Sequence, residues 1–151
     1  MTAVDELITW LRAQLDEDER VARAASVGPW LTKRADSVYA DETTVVLQPG
    51  PLPDWATLVV PPQEEGGEGI DPGNAEHIAR WDPARVLAEI DAKRRILEIH
   101  HHIECQHDRY GPDGDCAECG NEYPCETVHL LAQPYAGHDG WREEWQLSDG
   151  A

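Results

Sequence analysis

All four cysteines of this chain lie in one short stretch, which constrains the fold more than any other feature. They follow the pattern Cys-x10-Cys-x2-Cys-x5-Cys from Cys105 to Cys125. Four thiols so close together, with none elsewhere, indicate a metal site, disulfides or redox chemistry. Cys116 and Cys119 are three residues apart and a glycine follows, which lets the backbone turn tightly around a thiolate. We therefore interpret Cys105, Cys116, Cys119 and Cys125 as ligands of a structural Zn²⁺ ion.

The sequence offers more than one residue as the fourth ligand of this predicted site. Cys105 would complete an all-cysteine site, whereas a histidine would complete a site of three cysteines and one histidine, and tetrahedral zinc accepts both sets. His100 is the alternative fourth ligand, and His102 and His107 are further candidates. Cys125 follows a proline at the start of an apolar run, so we expect it near a helix N-terminus, where the helix dipole favours a thiolate.

Disulfides, a redox pair and an iron–sulfur cluster are the competing interpretations of the cysteines. Disulfides need an oxidising compartment, and residues 1–25 carry acidic side chains where a signal peptide has an uninterrupted apolar segment, so we expect no signal peptide. A redox Cys-x-x-Cys pair is typical of a βαβ unit, which the sequence pattern lacks. The long gap after Cys105 fits the usual spacings of iron–sulfur ligands poorly. Zinc is the interpretation that these comparisons favour.

Length and charge limit the possible partners. A chain of 151 residues is predicted to form a single domain, 1–151, with one modest core. It carries 30 acidic against 12 basic residues, a formal net charge of −18. Such a field repels nucleic acid and anionic membranes, and no apolar run approaches the roughly 18 residues that a membrane helix needs. We therefore expect a soluble, cytoplasmic protein whose partner is a protein. The charge suits either a basic partner or solubility alone, and solubility is the more common explanation of such a charge.

The hydrophobic pattern predicts an α+β fold. The expected order is an N-terminal helix (1–25), a small antiparallel sheet of three to four strands (28–62), an acidic loop (63–73), two further helices (74–102), a zinc knuckle with a short helix (103–136) and a tail (137–151). The expected strands are Trp30–Leu31, Val38–Tyr39, Thr43–Leu47 and Ala56–Val60. The second of the two further helices is expected to begin at Pro83 with Asp82 as its cap. Ion pairs are expected for Glu89 with Lys93 and for Asp91 with Arg95.

Several segments together resemble DUF6221, a family of small proteins of unknown function from actinobacteria and their phages. The segments are Ala24–Trp30, Ala75–Arg80 with Asp82–Leu87, the Cys-x-x-Cys…Pro-Cys-x-Thr run, Leu130–Ala132, and Pro134–Ala136 through Arg142–Trp145. More distantly, Gly28-Pro29-Trp30 and the Ala-Glu-His-Ile-Ala run at 75–79 resemble Ead-type phage accessory proteins. The resemblance implies an accessory protein of a phage or mobile element in the bacterial cytoplasm. It also implies three metal-binding cysteines matching Cys116, Cys119 and Cys125 with a histidine matching His100, to which this chain adds Cys105.

Three functional hypotheses follow. The first is a non-enzymatic, zinc-stapled interaction module, because the sequence contains no nucleophile elbow and no phosphate-binding glycine loop. An alternative within the same class is an acidic mimic of nucleic acid that inhibits a DNA-binding enzyme. The second hypothesis is a zinc-dependent hydrolase, which would need an open zinc position and a base such as Glu118 or Glu122. The third hypothesis is direct nucleic-acid binding, which is disfavoured because acidic residues surround the cysteines.

Overall fold

A computed structural model describes residues 3–34, 43–47, 58–60, 72–103 and 114–147 of the protein. The elements along these residues are α1 (Ala3–Ala24), β1 (Trp30–Arg34), β2 (Thr43–Leu47), β3 (Leu58–Val60), α2 (Pro72–Arg80), α3 (Pro83–Ile99), β4 (His102–Ile103), β5 (Asp115–Cys116) and α4 (Glu126–Ala132). Two short 3₁₀ helices follow, Gln133–Tyr135 and Glu143–Trp145. The predicted α+β class is confirmed. No helix in these ranges combines the length and the apolar character needed to cross a membrane.

Some predicted features lie outside the described residues. These are Cys105, His107, the strand Val38–Tyr39 and the greater part of the acidic loop. The chain divides into two compact units, one of Met1–Glu17 with Ile90–Ala151 and one of Asp18–Glu89. We call them the first unit and the second unit. The single domain inferred from chain length stays a prediction.

The second unit contains the antiparallel sheet that the β-branched runs predict. Its strand order is β1-β2-β3, with register from Trp30↔Leu47 to Arg34↔Thr43 in the first pair. The second pair includes Val45↔Val60 and is irregular between Val45 and Val46. α2 packs against β1 and β2, so three strands and one helix form the body of this unit.

The helices α2 and α3 begin at prolines. α2 begins at Pro72, two residues before the expected Asn74, because proline has the backbone angle of a first helical residue and needs no N–H partner there. α3 begins at Pro83 as predicted, and Asp82 Oδ1 accepts the backbone N–H of Arg85 at 2.9 Å. This is the N-cap bond that the sequence indicated.

The predicted ion pairs on α3 are half correct. Asp91 pairs with Arg95 at 2.8 Å, as expected. The predicted pair of Glu89 with Lys93 is wrong, because Glu89 instead binds Arg85 on the preceding turn at 3.0 Å. Lys93 donates to the hydroxyl of Tyr135 at 3.4 Å. A tertiary hydrogen bond with an aromatic residue thus replaces the local pair on the helix surface.

In the first unit, an aromatic cluster joins α1 to the C-terminal segment. The ring of Trp10 lies 6.4 Å from Tyr135, 5.5 Å from Trp141 and 5.2 Å from Trp145. We call these four residues the aromatic clasp. The indole N–H of Trp10 also donates to the carbonyl of Asp139 at 2.9 Å. Of the two tryptophans in the C-terminal segment, only Trp145 belongs to a 3₁₀ helix, and both rings contact that of Trp10.

Apolar residues of α1, α3 and α4 supply the rest of the core of the first unit. Leu7, Leu11 and Leu15 recur at helical spacing on α1 and are at most 1 % exposed. Val128 on α4 is fully buried. α4 itself ends at Ala132, and the next residues, Gln133–Tyr135, form a 3₁₀ turn that contains Pro134.

Candidate metal centre

Three thiols and one imidazole converge at the end of α3. The ligand atoms of His100, Cys116, Cys119 and Cys125 all lie within 4.8 Å of one another. Nδ1 of His100 is 3.4 Å from Sγ of Cys116 and 3.4 Å from Sγ of Cys125. In a tetrahedral zinc site, bond lengths of about 2.3 Å to sulfur and 2.0 Å to nitrogen place neighbouring ligand atoms about 3.5–3.8 Å apart. The spacing of this cluster is therefore close to that of an ion's coordination shell.

Three separate pieces of backbone deliver the four side chains. His100 follows the last residue of α3, and its N–H still donates to Ile96 in the helical pattern. Cys116 lies in β5, where it pairs with His102 of β4. Cys125 is the cap residue of α4, and its carbonyl accepts the N–H of Val128 at 2.9 Å. The predicted location of Cys125 at a helix N-terminus is confirmed.

A tight turn places Cys119 beside Cys116. The N–H of Gly120 donates to the carbonyl of Cys116 at 2.9 Å, and the N–H of Cys116 donates to Asn121 at 2.8 Å. Gly120 has φ of 65°, a left-handed conformation that glycine adopts at little cost. Gly114, with φ of 77°, has a second constraint, since a Cβ there would lie 2.7 Å from the carbonyl oxygen of Ile103. Both glycines therefore shape the approach of β5 and the turn to the cluster.

The surroundings shift the pKa values of the Cys119 and Cys125 thiols in opposite directions. A hydrogen bond from the backbone N–H of Asn121 lowers the pKa of the exposed Cys119 thiol. Burial raises the pKa of the Cys125 thiol, against the opposing effect of the Val128 N–H. Between residues 96 and 141 the sequence contains a single Lys or Arg, at 109, which lies outside the described residues. A bound divalent cation is the countercharge that would favour three thiolates at this position.

The structure describes five of the predicted candidate ligands, the histidines at 100 and 102 and the cysteines at 116, 119 and 125. His100, Cys116, Cys119 and Cys125 come together, and the three cysteines are free thiols, not disulfides. His102 is not in the cluster, and its ring lies 5.7 Å from that of Tyr123. Cys105 and His107 lie outside the described residues. His100 is thus the candidate fourth ligand that the described geometry supports.

Comparison with known proteins places the chain in a family. A sequence model described as a family of unknown function, DUF6221, matches residues 4–147. This chain belongs to the DUF6221 family. No curated protein and no solved structure matches it. The match to DUF6221 spans all four residues of the cluster, so a cluster that could hold a metal ion lies within the region that defines membership.

Proposed function

We propose that this DUF6221 protein is a non-catalytic interaction module whose first unit is held together by one structural Zn²⁺ ion. The observation that carries the proposal is the convergence of His100 Nδ1 and three cysteine sulfurs within 4.8 Å. Three cysteines and one histidine are a typical ligand set of structural zinc. Free thiols at this spacing also suit a reducing compartment such as the cytoplasm.

A structural role is favoured over hydrolysis by the number of ligands. A catalytic zinc keeps one coordination position open for water, whereas four protein ligands fill a tetrahedron. Cys116 and Cys125 are at most 2 % exposed, so half of the ligand set is closed to substrate. The carboxylates that a hydrolase could use as a base are both exposed, Glu118 on the turn and Glu122 in a β-bridge with Asp115. This arrangement supports a module without catalytic activity.

Metal analysis tests the zinc site directly. Protein purified under reducing conditions without chelator is expected to contain one zinc per chain, because the cluster offers one complete ligand set. Elemental analysis by mass spectrometry gives the ratio, and Co²⁺ substitution should produce the absorption of a tetrahedral thiolate complex. A metal-free protein whose three clustered thiols all react with a thiol reagent would refute the site. A coloured iron–sulfur protein would refute the choice of metal.

The partner is proposed to be a basic protein. Support comes from the net charge of −18 and from the absence of Lys and Arg in residues 96–103 and 114–141. Repulsion from phosphates makes nucleic acid an unfavourable partner for the same surface. A basic protein that normally binds DNA would fit the acidic surface equally well, which is how mimicry of nucleic acid would operate.

Capture at two salt concentrations tests the charge of the partner. Tagged protein is expected to retain basic proteins from a bacterial lysate at low salt and to lose them at high salt, since salt screens exposed charges. An unrelated acidic protein with a similar net charge serves as the control for nonspecific attraction. Enrichment of DNA-binding enzymes over that control would favour mimicry. Partners that are acidic, or that remain bound at high salt, would contradict the electrostatic proposal.

A further inference from the structure

The three thiols of the cluster differ sharply in their exposure to solvent. Cys116 is fully buried and Cys125 is 2 % exposed, whereas Cys119 is exposed. A dissolved oxidant can therefore reach one sulfur of the cluster directly. The remaining two sulfurs lie within 4.8 Å of that sulfur. An accessible thiol beside a resolving thiol is the arrangement found in redox-sensitive cysteines.

The turn that carries Cys119 also fixes its partner. Cys116 is the first residue of the turn that the Gly120 N–H closes onto the Cys116 carbonyl, and Cys119 is its fourth residue. Residues three apart in a turn have Cα atoms within about 7 Å, which overlaps the range of about 4.4–6.8 Å found in disulfides. Apart from Gly120 and its two chain neighbours, no residue has an atom within 4 Å of the position that a Cβ on Gly120 would occupy. The outer side of the turn is thus open to a small molecule.

We propose that Cys119 is an oxidation site for hydroperoxides, and that its oxidation closes a disulfide with Cys116 and releases the metal. This inference rests on the zinc site of the proposed function. The Cys119 thiolate attacks one oxygen of the hydroperoxide, which leaves a sulfenic acid on Cys119 and expels hydroxide or alkoxide. The Cys116 thiolate then attacks the Cys119 sulfur and expels hydroxide, forming the S–S bond. Two thiolates lose two electrons, and the peroxide gains them.

Disulfide formation removes half of the ligand set. A sulfur in an S–S bond no longer carries the negative charge that binds a divalent ion, so only His100 and Cys125 remain as ligands. Two ligands bind zinc far more weakly than four. The oxidised protein should therefore release its ion and lose the stabilisation that the ion gives to the first unit. A thiol reductant should restore both thiolates and the site.

The direct test treats the zinc-loaded wild-type protein with hydrogen peroxide. Zinc release, followed with a chromogenic chelator, is expected to proceed in step with the loss of two hydrogen atoms from the protein mass. Peptide mapping should locate the disulfide at Cys116 and Cys119, and a sulfenic-acid trap should label Cys119 first. Release without a disulfide, first labelling of Cys116 or Cys125, or peroxide-resistant zinc would overturn the inference.

Two histidine variants form a matched pair. Cys119→His and Cys125→His each keep four zinc-binding side chains, two cysteines with two histidines. Cys119→His should release zinc about tenfold more slowly than wild type, since exposure and thiolate character set the rate of oxidation. Cys125→His should stay sensitive because it retains both partners of the disulfide. Equal sensitivity of the two variants would contradict the assignment of Cys119.

The zinc content before peroxide is added separates the two proposals. A metal-free starting protein contradicts the zinc site, whatever the peroxide then does. Zinc-loaded protein that peroxide leaves unchanged contradicts only the oxidation site. If a variant fails to load zinc, the wild-type mapping of the disulfide still decides, and a disulfide between Cys116 and Cys119 in metal-free protein would support the oxidation site by itself.

Discussion

Replacing Cys116 with serine is expected to remove the bound zinc and to lower the free energy of unfolding by about 4 kcal/mol or more, the range in which loss of a metal falls. Cys116 is fully buried, and its sulfur is 3.4 Å from His100 Nδ1. A serine hydroxyl at this position would leave a three-coordinate ion and an unpaired polar group. Zinc content and urea denaturation, measured on the same preparation, should change together. Unchanged zinc content would refute Cys116 as a ligand.

Substitutions at the fourth position decide between the two predicted ligands. His100→Ala should lose zinc as Cys116→Ser does, and Cys105→Ser should keep it. His101→Ala is the matched control, because the His101 ring is exposed and contacts only the carbonyl of Glu98 among the bonds that the structure describes for it. The reverse result, in which Cys105→Ser loses zinc and His100→Ala keeps it, would establish an all-cysteine site and contradict the proposed ligand set.

Replacing Trp10 with alanine is expected to destabilise the first unit by about 3 kcal/mol, the lower end of the cost of removing a core tryptophan, because Trp10 is half-buried. The change removes three ring contacts in the aromatic clasp and the hydrogen bond to Asp139. Trp10→Phe keeps an aromatic ring but loses the hydrogen bond to Asp139. Loss of that bond should cost about 1 kcal/mol, and the lost contacts of the smaller ring add to this cost. Urea denaturation followed by circular dichroism measures both.

Trp81→Ala is the control for Trp10→Ala, because it removes a tryptophan that lies outside the aromatic clasp. Trp81 is 42 % exposed and packs between His77 and the guanidinium of Arg85 in the second unit. Its removal should cost less than the removal of Trp10, because exposed side chains lose less packing. Equal destabilisation by Trp10→Ala and Trp81→Ala would contradict a special role for the aromatic clasp.

Short sequence patterns predicted the features of the fold that depend only on residues adjacent in the chain. The start of α3 followed from Asp82 and Pro83, and the position of Cys125 before α4 followed from a proline and an apolar run. The choice of histidine was different. His100, His101 and His102 are consecutive, and which of them faces the cysteines depends on where α3 ends and on the pairing of His102 with Cys116. That information is tertiary, so chain spacing alone left the ligand open.

The aromatic clasp shows a second limit on what can be predicted from the sequence alone. Trp10 lies three residues after Leu7 on α1, so helical periodicity could have included it in the apolar stripe. Its partners at Tyr135, Trp141 and Trp145 could not be derived from that spacing, because each is more than a hundred residues away in the chain. The error at Glu89 has the same origin. Arg85 and Lys93 are both suitable partners by spacing, and the bond of Lys93 to Tyr135 decides between them.

The separation of the clasped residues has a consequence for the order in which this chain is assembled. His100 and Cys125 are 25 residues apart, whereas Trp10 and Asp139 are 129 apart. Closing the longer loop costs about 1.5 kcal/mol more in chain entropy. During synthesis the ribosome completes every ligand of the cluster before it reaches the last partners of Trp10. Trp10 therefore lacks all of its ring partners in the aromatic clasp until most of the chain has been translated.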